Sequence, residues 1–588
     1  MLKIFKHLNK RDWCFAGISL FFIVIQVWLD LKLPDYMSEI TMLVQTEGSA
    51  MSDVLAAGGY MLLCALGSLA ATFIVGYFVA KIAAGLSMRL REKIYEQTMN
   101  FSMEEIGHFS TASLITRSTN DITQIQTIVA MGLQAIVKSP ILAVWAIVKI
   151  SGKSWQWTAT TGVAVGVLLA MLIITIALTL PKFTKIQKLT DNLNRVSREN
   201  LTGIRVIRAY NAEKYQEAKF EAANDELTKT NLFANRAMSI MQPGMRLIMS
   251  GLTLAIYWVG VYLIDAAAMT ERLTVFSNMV VYSSYAMQII MAFMLLTMTF
   301  IILPRVSVSA KRINEVLKTK PIIKDGSKTE GLSGKTGEVE FRNVSFKYPD
   351  AEEYVLHKIS FTAKKGETVA FIGSTGSGKS TLINLVPRFY DVTEGAVLID
   401  GVDVKDYTQE ALRNKLGYVP QRAVLFSGTV KSNVAYGDNG RSGGTADDIV
   451  DAIYMAQASE FVEQMDDGYD GKIAQGGTNI SGGQKQRLAI ARAICRRPEI
   501  YVFDDSFSAL DYKTDRALRT ALKKETSGVT TLLVAQRIGT IMDADQIIVL
   551  DDGQVAGHGT HKELLKSCKV YREIAESQLS KEEIENAG

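Results

Sequence analysis

The stretch Gly366–Val386, "GETVAFIGSTGSGKSTLINLV", decides how the rest of this 588-residue chain is read. Thr368–Ile372 is apolar enough for a buried strand, and Thr381–Val386 begins a run with helical apolar spacing. Between them lies Gly373-x4-Gly378-Lys379-Ser380, a glycine-rich loop that opens a helix. Its glycines let backbone N–H groups approach anions, so Gly373, Ser374, Thr375, Gly376, Ser377 and Gly378 form a phosphate cradle. Lys379 would neutralise the outer phosphates, Ser380 offers a hydroxyl to Mg²⁺, and the helix entered through Thr381 adds its positive end. A chance match in strand–loop–helix order is improbable, and the expected ligand is a nucleoside triphosphate with Mg²⁺.

Working outward toward the C-terminus, "IYVFDDSFSALD" (Ile500–Asp511) reads as a buried strand that delivers carboxylates to a metal-bound nucleotide. "NISGGQKQRLAIARAI" places Ser481-Gly482-Gly483 directly before a helix whose first turn carries Gln484. That is a second anion-binding helix terminus in a domain that already has one. One domain cannot easily bring both to the same triphosphate, so two domains facing each other are expected, with each nucleotide between them.

Working outward toward the N-terminus, a polar linker at 318–337 precedes "GEVEFRNVSFKYP", which alternates like a strand. Upstream of about Pro304 the composition changes to long apolar runs. Runs long enough to cross about 30 Å of hydrocarbon fall at 13–33, 54–80, 129–150, 158–181, 247–264 and 273–303. Segments 34–53, 151–157 and 265–272 are short, and the first holds Asp35, Glu39, Glu47 and Asp53 without lysine or arginine. The segment 182–246 is long and basic, with Lys182, Lys185, Lys188, Arg195, Arg198, Arg205 and Arg208. Basic loops stay inside, which puts both termini in the cytoplasm. Apolar residues recur at helical spacing through these inside segments, so membrane helices continue well into the cytosol. "EEIGHFSTASLITRSTND" and "AYNAEKYQEAKF" interrupt that periodicity and are the expected turns.

The expected fold is therefore six transmembrane helices with intracellular extensions (1–317), the linker (318–337) and an α/β P-loop nucleotide-binding domain (338–588). A net charge of +4 and no basic block interleaved with aromatics give nucleic acid no support as a partner. Cys14, Cys64, Cys495 and Cys568 lack metal-ligand spacing and read as reduced thiols. The basic start "MLKIFKHLNKRDW" resembles a secretory leader, but no small-residue cleavage site ends the apolar stretch, and a retained first helix is expected.

In order and spacing these motifs resemble the ATP-binding cassette (ABC) exporters, as a half-transporter of the heterodimeric bacterial multidrug type that carries the degenerate ATP site. The resemblance implies an ATPase coupled to export, with Tyr348 of "SFKYPD" stacking on adenine and Gln421 of "GYVPQRAVLF" meeting Mg²⁺ and the membrane domain. It implies that Asp504 serves Mg²⁺, through water, together with Ser380 and Gln421, and that Ser481–Gln484 grip the partner subunit's ATP. Asp511 would end the loop that crosses to the opposite site. "ITRSTNDI" and "RENLTGIRVIRAYNAE" resemble the family's intracellular helices, the second of which reaches the other subunit's nucleotide domain in known members.

Two positions depart from a hydrolytic site of that family. Asp505 stands where the general base is glutamate, one methylene longer, and a misplacement of that order can cost about 10²-fold in rate. Gln536 of "LLVAQRI" stands where a switch histidine belongs; glutamine donates a hydrogen bond but carries no charge. The signature differs mildly, with Gln475 at a position often glutamate and Ile480 for leucine, a volume-conserving change. Together these predict a heterodimer whose second half-transporter supplies glutamate and histidine, so that one site hydrolyses and one mainly holds ATP. For cargo, the sixth span is rich in Met279, Tyr282, Tyr285, Met287, Met291, Phe293, Met294 and Met298. Such residues suit mixed hydrophobic compounds if they line a cavity, although helix packing or lipid contact explains any single one better. Gln134 and Gln288 are polar candidates for the same cavity, and Lys138 needs a cavity, a partner or a route to the interface. A lipid or lipid-linked exporter shares every motif, and an ATP-gated regulator or channel on this scaffold is the alternative of another class.

Overall fold

The computed structural model describes residues 3–46, 48–151, 154–349, 351–437, 444–525 and 528–579; Glu47 and Asp350 lie outside them, as does the side chain of Met298. The chain divides into two compact units, Met1–Met99 with Thr111–Thr319, and Asn100–Ser110 with Lys320–Gly588.

The first unit is helical. Its long members are α1 (Lys10–Gln45) and α2 (Met51–Met99), joined through α3 (Met103–Phe109) and α4 (Thr111–Ser118) to α5 (Asn120–Ser151). There follow α6 (Trp155–Thr202), α7 (Ile204–Ala209), α8 (Glu213–Ser239), α9 (Met241–Ala266) and α10 (Arg272–Lys318). Among the described residues six segments are long and apolar enough to cross a membrane; the first five expected spans fall inside one each, and the sixth, expected at 273–303, overruns its segment, which ends at Thr297. At 1.5 Å per residue the 49 residues of α2 reach roughly 70 Å, more than twice the hydrocarbon thickness. The helix is therefore longer than a single membrane crossing needs. The expected turns also occur: Ser110 and Asn211 take positive φ of 59° and 52° at the two interruptions, where α3 ends and where α7 gives way to α8.

The outer segment 34–53 differs from a plain loop, because α1 continues through Pro34 to Gln45 and α2 resumes at Met51. Polar contacts at regular helical intervals hold α1 to its neighbours along this length. Gln26 donates to Thr72 Oγ1 at 2.7 Å, and Asp30 pairs with Lys138 at 3.1 Å. Asp35 pairs with Lys149 at 2.8 Å and accepts from the Tyr285 hydroxyl at 2.6 Å. Lys138 thus has a partner, Asp30, which lies inside an apolar run and escapes a reading based on run length. The sixth span is divided in use: Met279, Tyr282 and Tyr285 are buried in the core with Val27, Val79 and Ala146, whereas Met291 is exposed.

The second unit is α/β. A four-stranded sheet has the order β2–β1–β4–β5, from β1 (Val339–Phe346), β2 (Leu356–Ala363), β4 (Glu394–Ile399) and β5 (Val402–Asp403). The main sheet has the order β12–β11–β3–β10–β9–β6, from β3 (Thr368–Gly373), β6 (Leu416–Val419), β9 (Ile500–Asp504), β10 (Thr530–Val534), β11 (Gln546–Asp551) and β12 (Gln554–Gly559). All its pairings are parallel except the edge strand β12. Its strands are apolar on both faces because both are covered: Phe371, Val502 and Leu532 face one core, and Ile372, Phe503 and Leu533 face the other. β7 (Gly428–Thr429) and β8 (Lys472–Ile473) form a separate antiparallel ribbon.

Helices of this unit include α11 (Lys379–Asn384), α12 (Gln409–Asn414), α13 (Val430–Val434), α14 (Ala446–Met455), α15 (Ser459–Glu463) and α16 (Gly482–Cys495). The last are α17 (Tyr512–Glu525), α18 (Ile538–Ile541), α19 (His561–Ser567) and α20 (Lys569–Gln578). Although α3 lies within 1–317 of the sequence, it packs as part of this unit. Ser102 caps it, its N–H donating to Glu105 Oε2 at 2.7 Å, and Glu105 Oε1 accepts the Ile322 N–H at 2.9 Å.

Candidate functional site

Three parallel strands bring the chemistry together. β10 lies between β3 and β9, and register places Val534 beside both Phe371 and Asp504. The residues just past these points are the phosphate loop, Asp505 and Gln536. They meet at the carboxyl edge of a parallel sheet, where ligands of such folds bind.

The loop itself depends on glycine. A β-carbon at Gly373 would stand 2.0 Å from the Leu550 carbonyl oxygen, and Gly378 has a φ of +92° with Leu356 2.7 Å from its missing β-carbon. Ser374, Thr375 and Gly376 are exposed at the crest, while Ser377, Gly378, Lys379 and Thr381 are buried beneath it. The Lys379 ammonium donates to the carbonyls of Gly373 and Ser374 at 2.9 and 2.6 Å and to Ser377 Oγ at 3.2 Å. Burial pushes it below its ordinary pKa, against the pull of Asp505 and Asp504. Tyr348 meets the same helix, its hydroxyl 3.1 Å from Thr381 Oγ1 and its ring edge-to-face with Phe346 and Tyr390.

Ser380 Oγ donates to Asp504 Oδ1 at 2.8 Å. Burial pushes the Asp504 carboxyl up, and the neighbouring Asp505 adds to this against the Ser380 hydrogen bond. A hydroxyl, a carboxylate and the nearby Gln421 amide are hard donors that fit Mg²⁺ shared with phosphates. Among the described residues no cluster of three His, Cys, Asp or Glu side chains offers an all-protein metal cage.

Asp505 is held from several sides. It has a φ of 46°, a left-handed conformation that short polar residues tolerate, and its N–H donates to the Val534 carbonyl at 3.0 Å. Two amides converge on one carboxylate oxygen: Gln536 Nε2 donates to Asp505 Oδ2 at 2.8 Å and Gln421 Nε2 at 3.2 Å. Burial raises the Asp505 carboxyl above its ordinary pKa, and these hydrogen bonds oppose the rise. The two departures from the family pattern, 31 residues apart in sequence, are therefore direct partners.

The signature and Asp511 are placed differently. Ser481 and Gly482 are exposed at the start of α16, closed by a reciprocal cap in which the Ser481 N–H donates to Gln484 Oε1 at 2.8 Å. Gly483 lies within reach of the Ala509 carbonyl, 3.4 Å from where its β-carbon would be. Asp511 is exposed and spends its carboxylate on the Thr514 N–H at 3.0 Å, which holds its pKa low. Ser508, the first residue of the "SALD" loop that Asp511 ends, donates its hydroxyl to the Asp505 carbonyl at 2.9 Å. One neighbour of the site carried no sequence signal: Gln578, which bonds the Gln536 backbone, is of an ordinary type and is visible only once the chain has folded.

Residues 16–317 match the family described as the ABC transporter transmembrane region, and residues 356–508 match the one described as ABC transporter. An uncharacterized ABC transporter ATP-binding protein of Mycobacterium tuberculosis is 41% identical over 521 residues, covering 88% of this chain and 87% of that protein. One from Bacillus subtilis is 36% identical over 575 residues, covering 96% and 97%. An ATP-dependent lipid A-core flippase of Aromatoleum aromaticum is 31% identical over 512 residues, covering 87% and 83%. The solved structure of a bacterial Atm1-family ABC exporter with ATP bound superposes with a TM-score of 0.81 at 25% identity, covering 98% and 99% of the two chains.

Proposed function

The chain belongs to the ABC transporter family, as a bacterial exporter half-transporter, and from that premise we propose that it works beside a different half-transporter. It is a transport-coupled ATPase of the cell membrane with a cytoplasmic nucleotide domain. The cargo we propose is hydrophobic or amphipathic, and this chain's own ATP site is the degenerate one. The observation that carries the reading is the convergence of Gln421 and Gln536 on Asp505 Oδ2. A general base must take a proton from attacking water, and an oxygen already filled by two amide donors serves that purpose poorly.

On this reading the exposed amides of the loop crest hold the phosphates, and Lys379 exchanges carbonyl partners for phosphate oxygens. Ser380 and Asp504 would hold Mg²⁺, which supplies charge neutralisation at the phosphates. Asp505 and Gln536 line the outer end of the site and fix it without efficient proton transfer. The Ser481–Gly483 segment, exposed at Ser481 and Gly482, serves the partner's ATP, so hydrolysis proceeds at the site the partner completes. Closure of the two nucleotide domains around bound ATP is favoured by their added contacts and turns the cavity outward; hydrolysis resets it.

Purified alone, the full-length chain should hydrolyse ATP slowly; brisk Mg²⁺-dependent turnover of the lone chain would refute the proposed division of labour. A neighbouring reading frame encoding a second half-transporter, with Asp-Glu after its equivalent strand and histidine at its switch, would supply the partner.

A lipid or lipid-linked cargo is the second reading, supported equally by the relatives named as lipid A-core flippases. ATP-driven uptake of a fluorescent dye into inverted vesicles, set against ATP-driven transbilayer movement of a labelled lipid, separates the two. Either transport signal, coupled to turnover, also distinguishes a pump from an ATP-gated channel.

A further inference from the structure

Two hydrogen bonds join the last described helix to the segment carrying Gln536. Helix α18 is a single turn, and its first N–H groups lack partners within the helix. Arg537 at its N-cap makes no side-chain cap. The Ile538 N–H donates instead to Gln578 Oε1 at 2.8 Å, and Gln578 Nε2 donates to the Gln536 carbonyl at 2.8 Å. One amide side chain from α20 thus brackets Arg537 on both sides. The flanks of this segment are held separately, by Ala535 N–H on the Phe371 carbonyl at 3.2 Å and Met542 N–H on the Ile538 carbonyl at 3.0 Å.

The helix that presents Gln578 is firmly seated. Tyr571 and Ala575 are fully buried, and the Tyr571 hydroxyl lies 2.6 Å from His561 Nδ1. Gln578 itself is exposed, so its contribution is hydrogen bonding and not core packing. We infer that Gln578 is a positioning residue for this chain's own nucleotide site. By fixing the backbone of Gln536 it sets where that amide points, toward Asp505 Oδ2 and the outer phosphate beyond. The C-terminal helix thereby governs the site without touching the nucleotide. This inference rests on the reading that Gln536 faces bound ATP.

The test uses the full-length chain in lipid nanodiscs with Mg²⁺ and the fluorescent analogue TNP-ATP. Gln578→Leu keeps helix propensity but removes both hydrogen bonds, and is expected to weaken TNP-ATP binding about threefold to tenfold. Amide exchange over 535–541 should quicken while that over 546–551 stays unchanged. Gln536→Ala should weaken binding by itself, and Gln536→Ala combined with Gln578→Leu should be no weaker than Gln536→Ala alone. Additive losses would reduce Gln578 to a general structural role and overturn the inference. It also falls, with the reading intact, if Gln536→Ala weakens binding and Gln578→Leu does not. If neither weakens it, both fall.

Discussion

At the scale of single residues, Asp505 is more than a shortened glutamate. It sits in a left-handed conformation with two amides on one oxygen, so lengthening the side chain leaves both donors in place. Asp505→Glu alone should therefore raise ATP turnover by less than about threefold, whereas Asp505→Glu with Gln536→His should raise it about tenfold to a hundredfold. Phosphate release from the purified full-length chain measures both, and full recovery by the single change would show that Gln536 imposes no restraint. Lys415 pairs with buried Asp400 at 2.7 Å and with Glu499 at 2.8 Å. Lys415→Met strands the Asp400 charge and should cost about 3–5 kcal/mol, read in denaturant unfolding. Burial pushes the Lys415 ammonium down, but its hydrogen bonds to Asp400 and Glu499 more than offset this and leave it above its ordinary pKa. The stabilisation is accordingly complete below the unfolded pKa of about 10.4 and fades as pH climbs through the raised folded value.

At the scale of elements, the polar face of α1 is what distinguishes this bundle from six greasy rods. Asp30 and Lys138, each about a quarter exposed, join α1 to α5. Lys138→Met leaves the carboxylate without its cation and should lower the midpoint of thermal unfolding in detergent, while adding Asp30→Asn should recover most of the loss. A single variant as stable as the parent would show that the pair contributes nothing. Elements set by local order were legible in the chain: the strand–loop–helix at Gly366–Val386, the places of the spans though not their lengths, and the breaks near Ser110 and Asn211 all follow from neighbours within a few turns. What was not legible depends on distant pairs. Lys138 called for a cavity, a partner or a route to the interface, and its partner Asp30 is 108 residues away in sequence and hides in an apolar run. The burial of Tyr282 and Tyr285, like the reach of Gln578 to the Gln536 backbone, follows from which helix faces become adjacent, and periodicity does not state that.

At the scale of the whole molecule, the decisive feature is that one domain carries two helix starts proposed to bind phosphate, with different surroundings. The start of α11 is built into a site with Asp504, Asp505 and Gln536, while the start of α16 exposes Ser481 and Gly482. If the exposed segment serves a partner's ATP, damage there should separate binding from turnover in a way damage to the phosphate loop cannot. Ser481→Arg places a long cation where a phosphate-facing hydroxyl is proposed, and it also removes the side chain that caps α16. Losing that cap costs about 1 kcal/mol, too little to unfold a domain of this size. In the complex with the partner, Ser481→Arg should cut steady-state ATP hydrolysis at least about tenfold, while TNP-ATP binding at this chain's phosphate loop stays within twofold of the parent. Lys379→Ala should do the reverse at this chain's site, abolishing its nucleotide binding and leaving the partner's site able to turn over at a reduced rate. Equal loss of hydrolysis and of local binding in Ser481→Arg would mean that the signature completes this chain's own site. The head-to-tail division of labour would then be wrong.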